Sequence, residues 1–183
     1  MISQDQFRKA CSRFPTGIAI ATVMQDGDTA AGLTISSFTS VSLEPALVLF
    51  CIHRQSRVLP FLHRQRCFGI NILSAGQADL SIRFARRDSH HLHFADWQLG
   101  QAGIPVLKEV LATIECHLHS VISCGDHEIV VGEVVALSAE DGNPLVRYGG
   151  SYRTLETHCC VGTLSNRSLL PIHGHPARVD RDI

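Results

Sequence analysis

Residues 32–45, GLTISSFTSVSLEP, interleave Thr34, Ser36, Ser37, Thr39, Ser40 and Ser42 with apolar side chains and stop at Pro45. Small hydroxyls and the backbone N–H groups between them can ring an anionic or heterocyclic ligand without filling its space. A solvated Ser/Thr loop has the same composition, so the segment alone leaves both readings open. A second cluster, His53-Arg54-Gln55-Ser56-Arg57, follows an apolar run and precedes helical spacing from Val58. Its hydroxyl and guanidinium groups, with the unpaired amides of a helix start, suit a phosphate, although ordinary capping uses the same residue types. The third candidate is the turn Gly125-Asp126-His127-Glu128, which presents a histidine at a strand edge. Such an imidazole can handle protons near neutral pH or simply stand exposed.

Histidines also gather at His90, His91 and His93 and alternate at His117 and His119, on one face of an expected strand. Metal ligation needs a recognisable fourth-ligand spacing, which these positions lack, so no metal site is expected. Seven cysteines, Cys11, Cys51, Cys67, Cys116, Cys124, Cys159 and Cys160, form an odd set without CxxC spacing. Reduced thiols, several of them packed in the core, are the expectation.

The elements that must position these groups read mostly as strands. Residues 2–14 carry Ile2, Phe7, Ala10, Cys11 and Phe14 at helical spacing, halted by Pro15 and Gly17, which predicts one short amphipathic helix. Residues 18–24 and 30–36 flank Asp26-Gly27-Asp28 and predict a hairpin. Residues 47–52 form a continuous apolar run of strand length, and 68–73 alternate in strand fashion. Helical spacing returns at 58–62 and 77–86, and the polar, His-rich stretch 86–104 reads as a loop. Beyond it, Ile114, Cys116, Leu118 and Ile122 are expected to face inward, with Glu115, His117 and His119 outward. Gly125-Asp126 then turns the chain into a second long hairpin through 129–137. Hairpins without regular β–helix–β alternation predict a mainly β fold, a closed or nearly closed antiparallel barrel with a few covering helices, over a doubly wound sheet.

Size and composition narrow the function. The 183 residues suit one domain, expected over 1–156 with an irregular tail at 157–183 where the pattern fails. A formal net charge of -1 argues against a nucleic-acid partner. The polar N-terminus lacks the apolar core of a secretory signal and no stretch has bilayer-spanning length, so a cytoplasmic protein without a membrane partner is expected. GxGxxG is absent, so any dinucleotide must bind against the barrel.

Taken in order from 7 to 155, the motifs FRKACSRFPTGIAIAT, GLTISSFTSVSLEPALVLFCI, SRVLPFL, CFGINIL, RFA, GIPVL, IECHL, GDHEIVVGEV and YRTL resemble the flavin reductase family. Its members are small split-barrel proteins that serve as reductase components of two-component monooxygenases. The resemblance implies an NAD(P)H-dependent oxidoreductase that passes hydride from NADH or NADPH to FMN or FAD. It also implies a homodimer and a separate oxygenase partner. A split-barrel protein that holds flavin or haem without turning over nicotinamide is the alternative.

By the same resemblance, Thr34, Ile35, Ser36 and Ser37 should touch the isoalloxazine ring and ribityl chain, with Ser42 or the nearby backbone completing that wall. Cys51, Ile52 and His53 would line the other side, Ser56 and Arg57 the phosphate, and Arg83 would add positive charge there. His127 matches the histidine placed near the nicotinamide, and Tyr152 a closing aromatic. Members commonly carry Ala-Asn where this chain has Ile35-Ser36.

Overall fold

The computed structural model describes residues 2–86, 91–92 and 96–155. In chain order the elements are α1 (Gln4–Cys11), β1 (Thr16–Gly17), β2 (Ala19–Met24), β3 (Ala30–Ile35), β4 (Thr39–Leu43), β5 (Ala46–His53), α2 (Leu59–Gln65), β6 (Cys67–Ile72), α3 (Ala78–Phe84), β7 (Trp97–Leu99), β8 (Pro105–Leu107), β9 (Ala112–Cys124), β10 (His127–Ala139), β11 (Val146–Tyr148) and β12 (Ser151–Arg153).

Seven strands form one antiparallel sheet in the order β3-β2-β6-β9-β10-β5-β4. Its two edges, β3 and β4, are consecutive in sequence and not paired to each other. Even so, one buried apolar cluster unites residues from β3 across to β5, including Ala31 and Ile35 of β3, Phe68 of β6, Cys116 of β9 and Phe50 and Ile52 of β5. A sheet whose first and sixth strands share a core has rolled up, so the fold is an antiparallel barrel split between β3 and the β4–β5 edge. The Phe50 and Phe68 rings meet edge to face inside it, 5.3 Å apart. Gly132 is required beside them, because an added Cβ would collide with the Phe68 ring and with Cys116 Cβ.

A second apolar layer lies on the outer side of β2, where Ile18 and Ile20 alternate with the inward Ala19 and Ala21. Phe84 of α3, Trp97 of β7 and Leu107 of β8 cover it. The buried Asn71 joins these layers: its amide donates to Ile20 O (2.9 Å) and Thr22 Oγ1 (3.1 Å), and its oxygen accepts from Leu107 N (2.7 Å). The β9–β10 turn needs Gly125 at φ +60°, a left-handed conformation that two-residue hairpin turns require.

Several expectations are corrected. Part of the expected 86–104 loop is the start of a hairpin, β7 with β8. Within the hydroxyl block, 39–43 form an edge strand. Glu115 does not face solvent; it is 2% exposed and accepts from Ala102 N (2.9 Å) and Ile104 N (3.2 Å), because the 100–104 turn folds across β9. Ile122, expected inside, is 52% exposed near the free end of the long hairpin. The first helix is shorter than 2–14; Ser3 and Gln6 close a capping box at its start. It buries none of its residues, leaving Phe7 63% exposed. The tail at 157–183 and His90, His93, Cys159 and Cys160 lie outside the described residues. No helix among the described residues is long and apolar enough to cross a membrane.

Candidate functional site

The split in the barrel creates the site. Strand β4 pairs with β5 only as far as Leu49, whereas β5 continues to His53 along β10. Its other edge is therefore open over 50–53. Ser37 closes the middle of that gap, accepting from Cys51 N (2.9 Å) and approaching Cys51 O (3.4 Å). Across the split, the free edge of β3 is covered at its start, where Leu92 N donates to Ala30 O (2.9 Å). From Gly32 to Thr34 no described strand pairs with it. Between the two open edges lies a cleft of about 460 Å³, within the size range of small-molecule sites.

Leu33, Ile52, Val58 and Phe84 give this cleft apolar surface, and Thr34, Cys51, His53, Gln55, Ser56, Arg57, Arg86 and His127 give it polar groups. Thr34 holds α3 in place, its hydroxyl donating to Ser81 O (2.7 Å), so toward a ligand its Oγ1 can only accept. Ser56 follows the end of β5 in a turn closed by Ser56 N to His53 O (2.8 Å), and its Oγ accepts from Val58 N (3.3 Å). That leaves the hydroxyl hydrogen of Ser56 free to donate. Arg57 and Arg86 make no ion pair with any described residue, so the cleft carries two cations that no described carboxylate compensates. Such a lining suits an anion joined to a flat apolar body.

At one end, His127 of β10 pairs directly across the strands with His53 of β5. The rings lie edge to face, with centroids 5.1 Å apart. Asp126 Oδ1 accepts from His127 Nδ1 at 2.7 Å, and its Oδ2 stands 3.9 Å from His53 Nε2. The His127 hydrogen bond is the main cause holding the exposed Asp126 carboxyl below the usual aspartate range. His53 Nδ1 accepts from Gln55 N (3.0 Å).

Of the residues singled out from sequence, Thr34, Cys51, Ile52, His53, Ser56, Arg57 and His127 line the cleft together. Others do not reach it. Ile35 points into the barrel core at 4% exposure, by strand alternation from Thr34. Ser36 lines a separate groove beside Phe7, Phe14 and Tyr148. Ser37 supports the cleft from behind, and Ser42 caps the β4–β5 turn, accepting from Glu44 N (3.3 Å). Arg83 spends its charge on Asp96 (3.0 Å) and its cation covers the Phe84 ring at 4.9 Å. Tyr152 hydrogen-bonds Ser81 Oγ (2.8 Å) in a neighbouring hollow that Arg86 and Arg147 also line.

Sequence reasoning passed over Gln55, Phe84 and Arg86. Each had a signal: Gln55 lies inside the His53–Arg57 cluster, Phe84 inside RFA, and Arg86 two residues after it. The described residues contain no group of three or more His, Cys, Asp and Glu side chains that could hold a metal.

Residues 11–156 match the family described as flavin reductase like domain. The chain is 38% identical over 145 residues to the stachydrine N-demethylase reductase subunit Stc3 of Rhizobium meliloti, covering 79% of this chain and 63% of that one. It thus spans less than two thirds of that relative's length. Similarity to the flavin-dependent monooxygenase reductase subunit HsaB of Rhodococcus jostii is 37% over 156 residues, covering 85% of this chain and 80% of that one. Among solved structures, the NADH:FAD oxidoreductase SgcE6 of Streptomyces globisporus, in complex with NAD and FAD fragments, superposes with a TM-score of 0.80. The two are 32% identical, and the match covers 86% of this chain and 96% of that one.

Proposed function

The chain belongs to the flavin reductase family, and from that premise we propose that it transfers hydride from NADH or NADPH to FMN or FAD and supplies the reduced flavin to a separate monooxygenase. The observation that carries the reading is the cleft across the barrel split, which joins an apolar wall, two guanidiniums with no ion pair among the described residues and the donor hydrogen of Ser56 to a paired-histidine end. Those groups fit a tricyclic ring with a phosphate tail.

When bound, the flavin and nicotinamide supply the redox chemistry themselves, and the protein's part is orientation. Ser56, Arg57 and Arg86 would hold the phosphate, while Leu33, Ile52, Val58 and Phe84 would flank the ring. His53 and His127 face the space left for the hydride donor. Ser37, which accepts from Cys51 N, would brace the β5 wall beside the ring.

Three further points belong to this proposal. The fold unit is residues 1–156, with 157–183 as an appended tail. The protein is a homodimer, supported by the exposed Val41 and Leu43 on the edge strand β4, a surface that soluble proteins cover. It works in the cytoplasm, in keeping with the free thiols of Cys11, Cys51, Cys67, Cys116 and Cys124.

The test is turnover of each of the four flavin and nucleotide pairs, followed at the nicotinamide absorbance band. Catalysed loss with at least one pair is expected. Tight flavin binding without any nicotinamide oxidation would overturn the reductase reading in favour of a flavin-holding protein, and light scattering tests the dimer.

A further inference from the structure

We infer that Tyr152 is a positioning residue: acting through Ser81, it fixes the end of α3 from which Arg86 enters the cleft. The inference rests on the reductase reading and goes beyond it, because it gives a share in the selection of phosphorylated flavin to a side chain outside the cleft.

Arg86 has two places to put its charge. It lines the cleft across the barrel split, and together with Ala85 it also lines the neighbouring hollow formed with Ile82, Arg147, Gly150 and Tyr152. Residues 85–86 are thus the partition between two spaces, and the guanidinium goes where the end of α3 delivers it. The helix alone is a weak anchor. It has seven residues, its N-cap residue Gln77 makes no side-chain capping bond, and it buries only Ser81 and Phe84.

Those two buried side chains are held in different ways. Phe84 packs among apolar residues that include Trp97 and Leu107, so the aromatic wall of the cleft is set by packing. Ser81 is 0% exposed and is fixed by hydrogen bonds. Its carbonyl accepts from Ala85 N (3.1 Å), which closes the last helical turn, and from the Thr34 hydroxyl (2.7 Å) of β3. Its Oγ lies 2.8 Å from Tyr152 Oη of β12, a pair in which either hydroxyl can donate. Ser81 is therefore pinned one turn before Ala85 from both sides, by a residue of the cleft and by a residue of the hollow.

The Tyr152 ring packs against the same apolar cluster as Phe84, so its hydroxyl reaches Ser81 from a fixed base. Arg147, its direct cross-strand partner, lines the hollow and makes no ion pair with any described residue. A like charge there disfavours Arg86 on the hollow side, an effect that solvent screens because both residues are exposed. Removing the Tyr152 hydroxyl leaves the helix packed through Phe84 but loosens its end. A directional, charge-assisted bond from Arg86 to a phosphate loses more from that than apolar contact with a ring does.

The experiment compares FMN with riboflavin, which keeps the ring and ribityl chain and lacks the phosphate, by equilibrium fluorescence quenching. R86A should weaken FMN about tenfold and riboflavin by no more than about twofold. Y152F, which removes only the hydroxyl, should weaken FMN about three- to fivefold and riboflavin by no more than about twofold, and S81A should match it. In the Y152F/R86A double variant FMN affinity should equal that of R86A to within about twofold, since the hydroxyl acts only through that arginine. Thermal unfolding is measured on each variant. A tyrosine that merely stabilises the fold would lower the melting temperature, weaken both flavins alike and add fully to R86A. That pattern overturns the inference, as does unchanged FMN affinity in Y152F or in R86A. A native protein that binds neither flavin would instead sink the reductase reading.

Discussion

Ser37 Oγ stands 2.9 Å from Cys51 N, and a side chain thereby takes the place of a missing strand at the one point where the open edge of β5 would otherwise be bare. The contact explains how the barrel can be split without its cleft collapsing. Ser37→Ala removes the acceptor and leaves a part-buried N–H unpaired, which costs about 1–2 kcal/mol. Thermal unfolding should fall by a few degrees, and flavin affinity, read by fluorescence quenching, should weaken although Ser37 does not line the cleft. Unchanged melting and binding would show that water replaces the hydroxyl at no cost.

The two arginines near the end of α3 should separate cleanly. Arg86 lines the cleft with no ion pair among the described residues, whereas Arg83 is held by Asp96. Arg86→Ala should weaken flavin binding by about tenfold and reduce its sensitivity to salt, as the loss of a charged hydrogen-bond donor to phosphate does. Arg83→Ala should lower thermal stability and leave the salt dependence of binding unchanged. Titrations at two ionic strengths distinguish them, and equal effects would mean that the phosphate lies elsewhere.

Where the chain's signals were local, the sequence was legible. The β2–β3 and β9–β10 hairpins follow from alternation interrupted at Gly27 and Gly125, and the Ser56–Arg57 cluster lies where its position after an apolar strand suggests. Tertiary packing decided the rest. Nothing in the spacing of Glu115 shows that the 100–104 turn will fold over it, since a carboxylate on a strand's polar face ordinarily meets water. Arg83 and Arg86 are alike by composition, and only the position of Asp96 decides which is free. Within the hydroxyl block the same limit applies: alternation sends Ile35 inward, but Ser37 and Ser42 are divided by where the pairing of β4 ends.

Asp126 should make stability sensitive to acid in a defined direction. Its folded pKa is lowered, chiefly by the His127 hydrogen bond, below the unfolded value of about 3.9. The stabilisation is thus fully present above that value and is lost as pH falls through the depressed pKa. Urea unfolding of the native protein and D126N should differ more at about pH 5 than below about pH 4, where the difference shrinks. A difference that grows on acidification would contradict the assignment.

Alkaline stability should be governed in part by Cys116. The thiol is fully buried between β6 and β10, and burial pushes its pKa up to about 12, with the neighbouring Glu115 charge acting in the same direction. An unfolded cysteine ionises near about 8.5, so between the two values the unfolded chain releases a proton that the folded one retains. Stability must then fall as pH rises through that window, because the unfolded state binds fewer protons. Replacing the thiol by Cys116→Ala introduces a small cavity and a fixed loss, yet it should flatten the slope of unfolding free energy between about pH 9 and 11. Alkylation followed by peptide mapping gives a second measure. Cys11 and Cys124, both exposed, should react in the native protein, and Cys116 only under denaturant. Rapid native labelling of Cys116 would mean that β9 opens locally at this position, and that its burial does not protect the thiol in solution.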